Sequence, residues 1–462
     1  MCAAPTNRLK QALPAGVRAL CDRLRAKGYR AWIVGGCVRD LLLEELRGAV
    51  PGALAVRGDW DIATDARPEQ VRRCFQRVIP TGIQHGTVTV LLDGVGYEVT
   101  TLRGETSYSD GRHPDRVYFV DDIEADLARR DFTINAMAYD PTCNALIDPF
   151  GGAADLQTAT LRAVGDPAER FAEDGLRVLR AARFVATLQV TLDRATQDAI
   201  RPSLDSYRRV SPERIRDEWT KTLAAPAPSC AFEIMRTCGL LEITAPELAP
   251  AGDRPPVADL RAWEYRLACV DECPARLVVR LAALLQDWKS ATRAAERPGG
   301  DGSHPAGSRL GEQASAVLKR LRFSNRDQTE VVALVRELDV EYNESWEDRD
   351  VRRWVRRVGP ARLTDLLDLA SAVARVDLEP GAPPAERLTA LRRRAQRELE
   401  QGAPLSTRDL AVDGNDLMSE LGLRPGRQVG ELLEQLLEAA LDDPAVNDRE
   451  QLLELARRLV AR

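Results

Sequence analysis

The spacing of apolar positions changes character once along the chain. Over roughly the first 150 residues, short apolar runs alternate with amphipathic stretches. The segment "RLKQALPAGVRALCDRLRAKG" predicts helix and leads into the buried strand "RAWIVGG". A helix over 38–46, a strand around 59–63 and a helix near 68–75 follow. "TVTVLLDG" and "VGYEVTTL" each alternate with period two, and Asp93-Gly94 between them predicts a hairpin turn. From about Leu156 onward the strand signal nearly disappears. "ERFAEDGLRVLRAARFVATL", "SPERIRDEWTKTL", "CAFEIMRTCGLLEIT" and "GRQVGELLEQLLEAALDD" carry helical periodicity. Two breaks interrupt them: the Gly/Pro/Ser-rich "ATRAAERPGGDGSHPAGSRLGE", expected as a mobile loop near 291–312, and "DLEPGAPPAERL" near residue 380. No internal repeat is visible. The pattern predicts an α/β head followed by a long all-α remainder.

At 462 residues the chain exceeds one ordinary core and predicts two to four domains. With 44% apolar and 29% charged residues it has the balance of a soluble globular protein, and no apolar run approaches membrane-spanning length. The N-terminus lacks a signal-peptide core, so a cytoplasmic location is expected. Nine cysteines stand singly, with Cys269 and Cys273 nearest to a pair, and read as buried reduced thiols rather than disulfides or a zinc site. Only His85, His113 and His304 are histidines, which argues against a histidine-clustered metal hydrolase. Net charge is −6, yet sixty of the sixty-five basic residues are arginine. Coding bias explains that excess; clustered on a groove, the same guanidinium forks would suit phosphates.

Asp59 and Asp61, in "RGDWDIATDARPEQ", lie two apart, so on a strand both project from one face. Carboxylates held that close repel each other unless a cation neutralises them, and Mg²⁺ prefers such oxygen ligands. Isolated, the pair equally describes an exposed turn with two solvated acids. Upstream, "IVGGCVRD" sets Gly35 and Gly36 where a strand meets a helix. There phosphate can approach backbone amides at Gly36, and Arg39 can grip another oxygen. A plain strand-to-helix connection would look the same. Glu98, on the following hairpin, either supplies a third carboxylate or faces solvent. Together these features describe a site for metal-bound triphosphate.

"GGCVRD", "DWDIATDARPEQV", "TGIQHGTVTV", "YEVTTLR", "RRDFTINAMAYD" and "GDPAERFAEDGLRVLRAARF" occur in the order found in class II tRNA nucleotidyltransferases, and the chain resembles that family. The family also includes bacterial poly(A) polymerases, and its head is related to DNA polymerase beta. The match is dense over roughly residues 30–190 and weaker in "RVSPERIRDEWTKTL", "CGLLEITAPEL" and "DGNDLMSELGLRPGRQVGELL". The resemblance implies a polymerase-beta-like catalytic head over 1–157, a helical neck with base recognition over 158–222, a helical body over 223–378 and a helical, tRNA-binding tail over 379–462. It implies template-independent addition of CMP and AMP from CTP and ATP to the tRNA 3′ end, by two-Mg²⁺ nucleotidyl transfer with Asp59 and Asp61 as metal ligands. No membrane and no obligate protein partner is expected.

Without a template, side chains must choose the base. Asp174 and Arg177 of "EDGLR", at i and i+3, are expected on one helix face. Asp174 can accept from the exocyclic amine of cytosine or adenine, and Arg177 can donate to cytosine N3 or adenine N1. Guanine and uracil present the reverse pattern, leaving buried polar groups unpaired. Glu173 would orient Arg177. The resemblance also implies nucleotide contacts for Arg130, Arg180 and Arg183, with Asn135 structural. "RGETSYSDGRHPDRVYFV", including Asp110, Arg112 and Pro114, resembles the family's flexible loop, which helps the switch from C to A addition. Some relatives carry a histidine–aspartate phosphohydrolase helix reading "LLHD". Here "RLAALLQDWKS" has Gln286 before Asp287, a degenerate version that predicts no phosphatase activity. Competing expectations are a poly(A) polymerase, an enzyme adding only CC or only A, and a non-catalytic RNA-binding protein.

Overall fold

The computed structural model describes residues 6–48, 60–83, 86–106, 116–249, 257–286, 305–340, 342, 345–376 and 385–461. It comprises two compact units, Met1–Ala249 and Pro250–Arg462.

The first unit is built on a seven-stranded sheet in the order β3-β4-β5-β2-β1-β8-β9. Its strands are β1 (Ala31–Val34), β2 (Asp61–Thr64), β3 (Val78–Gly82), β4 (Thr87–Leu92), β5 (Val95–Thr101), β8 (Ala138–Asp140) and β9 (Ala145–Ile147). A ribbon of β6 (Arg103–Thr106) and β7 (Arg116–Phe119) stands apart from it. Asp93 and Gly94 both take positive φ, 50° and 82°, forming the β4–β5 turn whose twist matches an antiparallel pair. Strands β2 and β5 are parallel, with Asp61 opposite Glu98. Their neighbours Ile62 and Val99 are fully buried on the other face, so the alternation leaves Asp61 and Glu98 side by side.

The leading helices are α1 (Thr6–Ala12), α2 (Ala15–Ala26), α3 (Gly36–Leu46), α4 (Pro68–Cys74), α5 (Ile123–Ala128) and α6 (Gly152–Gln157). The amphipathic N-terminal segment is therefore two helices, divided at Leu13 and Pro14, because proline has no N–H to continue a helix. After α6 come α7 (Pro167–Glu173), α8 (Leu176–Leu188), α9 (Arg194–Asp198), α10 (Leu204–Tyr207), α11 (Pro212–Leu223), α12 (Pro228–Thr237) and α13 (Leu240–Thr244). The only strands among the described residues past Leu156 are the two-residue pair Thr160–Leu161 and Thr191–Leu192.

One expectation fails here. "ERFAEDGLRVLRAARFVATL" is not a single helix: Asp174 is extended (φ −140°, ψ 106°) between α7 and α8. The cause lies elsewhere in the chain. Gly175 packs directly on the α10 backbone, where an added Cβ would fall 2.2 Å from the Ser206 carbonyl oxygen. Helix α8 packs against α11 and α12; the edge-on pair Trp219–Phe232 joins α11 to α12, and the edge-on pair Phe132–Phe184 joins α8 to the segment after α5.

Every regular element described in the second unit is a helix. The stretch expected as loop near 291–312 is partly helical, since a helix spans Pro305–Arg320. Proline suits a first helical turn, and Ala314, Val317, Leu318 and Leu321 recur on one buried stripe. Residues 291–304 lie outside the described residues. Gln286 is buried at the end of the Leu277–Leu285 helix, and Asp287 lies outside the described residues. Arg352, on the Asp348–Val358 helix, bonds Glu398 at 2.8 Å and the carbonyls of Leu441 and Asp442 at 2.6 and 2.9 Å. It joins the Ala385–Glu400 and Arg427–Asp442 helices to its own.

Among the described residues no helix is long and apolar enough to cross a membrane. Six of the eight described cysteines are buried, as expected, but Cys143 and Cys230 are exposed, Cys143 in the turn before β9 and Cys230 on the outer side of α12.

Candidate active site

Gly35 ends β1 with φ +78° and precedes α3. A side chain there would meet the Arg130 guanidinium at 2.8 Å and a carboxylate oxygen of Asp61 at 3.7 Å. The bare Cα is thus where the acidic end of the central strands and the Arg130 guanidinium converge. Arg130 is lightly tethered: Nη1 reaches the Asn135 carbonyl and Nη2 reaches Asp126, each at 3.4 Å, and its Nε has no partner among the described residues. Gly36 opens α3, and Arg39 on the first turn donates to Asp40 at 2.8 Å and to Asn135 Oδ1 at 2.7 Å. Asp61 and exposed Glu98 form an oxygen donor set of the kind a hard divalent cation takes. Asp59 lies outside the described residues, as do Asp110, Arg112 and Pro114.

Asn135 passes the chain of bonds onward. Its Nδ2 donates to Asp131 Oδ1 at 3.0 Å, while Arg180 donates to Asp131 Oδ2 from Nε and Nη2, at 2.8 and 2.6 Å. Burial alone would push the Asp131 carboxyl up. Arg180 beside it and the bonds from Asn135 and Arg180 win, holding it well below the usual carboxylate range. Burial works against the Arg180 charge, but Asp131 and Glu218 hold its pKa above the ordinary arginine value. Burial pulls Arg183 down despite its bond to Glu218. The Phe184 ring collects three guanidiniums, Arg39, Arg180 and Arg183, at 5.3, 5.2 and 4.0 Å from its centre.

Asp131 carries a pH signature. Its pKa is depressed on folding, so its contribution is complete above the unfolded value near 3.9 and is lost as pH falls through the folded value. Asp131→Asn should destabilise the protein at pH 7 by about 3 kcal/mol, because Arg180 keeps its charge in a half-buried place. It should also flatten the acid limb below about pH 4. Urea unfolding at pH 7 and pH 3 measures both; an acid limb as steep as the parent's would remove Asp131 from this role.

Arg177 is 8% exposed, and its Nη1 donates to Glu173 and to the Arg170 carbonyl, its Nη2 to the Arg129 carbonyl. The Glu173 bond bridges the end of α7 and the first turn of α8, not one continuous helical turn. Three of the five Arg177 N–H groups are used in these bonds, leaving the Nε–H and one Nη2–H to donate. Asp174 and Arg177 do not share a helix face: the chain breaks at Asp174, whose carboxylate is clasped by Arg214 instead.

The structure therefore gathers Gly36, Arg39, Asp61, Glu98 and Arg130 at one end, and Glu173, Asp174, Arg177, Arg180 and Arg183 around α8. Sequence reasoning missed Asp126, Arg214, Glu218 and Phe184. For Asp126 a signal existed, since it precedes Arg129 and Arg130 by three and four residues on a helical turn. Arg214 and Glu218 meet α8 only through tertiary packing of α11.

Three family models match the chain: the poly A polymerase head domain over residues 31–162, a probable RNA and SrmB-binding site of polymerase A over 189–251, and a putative second domain of tRNA nucleotidyltransferases over 308–456. The CCA-adding enzyme of Lactobacillus johnsonii is 45% identical over 51% of this chain, an alignment that spans about half of that relative's length (56%). The CCA-adding enzymes of Enterococcus faecalis and Ligilactobacillus salivarius are 32% and 30% identical over 98% of this chain, covering 96% and 97% of theirs. The crystal structure of the Bacillus stearothermophilus CCA-adding enzyme in complex with CTP superposes with a TM-score of 0.71 at 29% identity, covering 99% of this chain and 98% of that one. A Thermotoga maritima CCA-adding enzyme complexed with tRNA has the same fold at 19% identity and a TM-score of 0.61. With a polymerase-type α/β head, a mostly helical remainder and near full-length similarity to two such enzymes, the chain belongs to the CCA-adding enzyme family of nucleotidyltransferases.

Proposed function

We propose that this protein adds CMP and AMP, from CTP and ATP, to the 3′ end of tRNA in the cytoplasm, completing or repairing a terminal CCA. The observation that carries the reading is continuity. Hydrogen bonds run from Arg39, beside the Gly35–Gly36 turn, through Asn135 and Asp131 to Arg180 on α8, the helix whose first turn holds Arg177. A nucleotide lying along that line meets phosphate donors at one end and base donors at the other.

The α3 amides, Arg39 and Arg130 bind the triphosphate oxygens, and Gly35 lets them approach the backbone. Enzymes of this family use divalent metal ions. Asp59 and Asp61, with Glu98 opposite Asp61, would hold Mg²⁺, which would supply the Lewis acid that lowers the barrier to attack by the RNA 3′-hydroxyl and to pyrophosphate departure. Arg177 donates to cytosine N3 or adenine N1 while Asp174 accepts from the amine, so both correct bases satisfy the same two groups. Residues 1–157 act as catalytic head and 158–222 as base-reading neck. The helical stretches 223–378 and 379–462 hold tRNA by shape and backbone charge.

The test is to incubate the full chain with Mg²⁺, CTP and ATP and tRNAs ending at the discriminator base, at C or at CC. Addition that stops at CCA from all three substrates is expected. Long A tails would install a poly(A) polymerase instead, the reading favoured by the name of the head-domain model. Addition confined to CC or to A would mark a partial enzyme, and none at all a silent RNA binder.

A further inference from the structure

The group that clasps Asp174 lies outside the "EDGLR" run. Arg214, in the first turn of α11, donates from Nη2 to Asp174 Oδ2 at 2.7 Å and from Nη1 to Oδ1 at 3.2 Å, across 40 residues of chain. Oδ1 also accepts from the Leu176 amide at 3.0 Å. Both side chains are largely buried, with 17% and 21% of their surfaces exposed. A carboxylate offers about four acceptor sites. Arg214 and Leu176 together fill both on Oδ1 and one on Oδ2, leaving a single open site on Oδ2.

The backbone beneath cannot reorient, because Gly175 sits against the Ser206 carbonyl with no space for even a Cβ. Rotation of the Asp174 side chain is the remaining freedom, and a two-pronged guanidinium removes it in a way that a point charge does not. We propose that Arg214 is a specificity-determining positioning residue: it sets the plane of the Asp174 carboxylate so that its last acceptor site faces the amine of the incoming base. The proposal rests on the reading of Asp174 and Arg177 as base readers. Without Arg214 the carboxylate swings away. Uracil O4 then no longer confronts a fixed acceptor, and half of the discrimination against uracil is lost while Arg177 keeps the other half.

The experiment measures single-turnover incorporation of CTP and of UTP on tRNA lacking CCA, using full-length parent, R214A, R214Q, R214K, D174A and the D174A/R214A double variant. The CTP/UTP ratio should fall about 10- to 100-fold in R214A and R214Q, the factor expected when one unpaired polar contact ceases to reject the wrong base. R214K should fall too, because it keeps the charge and loses the fork. The double variant should match D174A, since a positioning group has nothing to position once its target is gone. Loss of CTP and UTP incorporation by one common factor would reduce Arg214 to structural support and overturn the proposal, as would additive losses in the double variant. R214K and R214Q keep the test open if R214A fails to fold. A ratio that collapses in D174A and holds in the Arg214 variants sinks the proposal alone; an unchanged ratio in D174A sinks the base-reading assignment beneath it.

Discussion

Asp61→Ala is expected to transfer nucleotides at least about a thousand-fold more slowly than the parent chain, corresponding to about 4 kcal/mol of lost transition-state stabilisation. The size follows from position. Asp61 stands in register with Glu98 on one side and lies near the Arg130 guanidinium around Gly35 on the other. On the proposed reading its carboxylate would hold the ion beside the place where the triphosphate arrives. Folding does not demand such an acid, because the buried face of β2 is carried by Ile62. The thermal midpoint should stay within a few degrees of the parent, and Asp61→Asn, which keeps the shape and loses the charge, should be as inactive as the alanine variant. Single-turnover CTP incorporation with a parallel thermal melt checks both statements. More than about a tenth of parental activity in either variant would take Asp61 out of the ligand role.

The second large effect falls on base choice. Arg177→Ala should lower the CTP/UTP ratio by about 100-fold, the equivalent of about 2–3 kcal/mol, while the tRNA dissociation constant moves less than about threefold. Arg177 is held by Glu173 and by two backbone carbonyls, so its two remaining N–H groups are fixed in direction, as the proposed base reading requires. Lysine cannot reproduce this: one ammonium has three donors, and the three existing acceptors would consume them all. Arg177→Lys should consequently discriminate no better than Arg177→Ala. Filter binding measures the tRNA affinity and the incorporation assay the ratio; discrimination at the parental level in either variant would disprove the assignment of Arg177 as donor.

What could be read from residue order alone was local. The β4–β5 hairpin rests on strict alternation and an Asp-Gly turn, both confined to a few residues, and it forms as expected. The contact between Arg177 and Glu173 likewise joins residues four apart in the chain, although it bridges the break between α7 and α8. The break at Asp174 was hidden because "ERFAEDGLRVLRAARF" keeps helical periodicity across it, and its causes, Ser206 and Arg214, lie more than thirty residues away. Glu98 could be nominated from its place on the hairpin. Its alignment beside Asp61 depends on a parallel pairing that no short window contains. The link from Arg39 through Asn135 and Asp131 to Arg180 joins α3 to α8, and each bond in it is set by packing. Cys143 and Cys230 carry the opposite lesson: a small sulfur side chain is usually interior, but one in a turn or on the outer side of a helix is exposed whatever its usual preference.

Arg352 gives the second unit a shared melting fate. One guanidinium closes the final turn of the Arg427–Asp442 helix and neutralises Glu398 two helices earlier. A cut upstream of Leu441 therefore leaves a desolvated cation without two of its partners instead of detaching an independent module. Shortened chains would lose their tertiary order upstream of the cut, and a defect in tRNA capture seen in them would report collapse as readily as a missing contact.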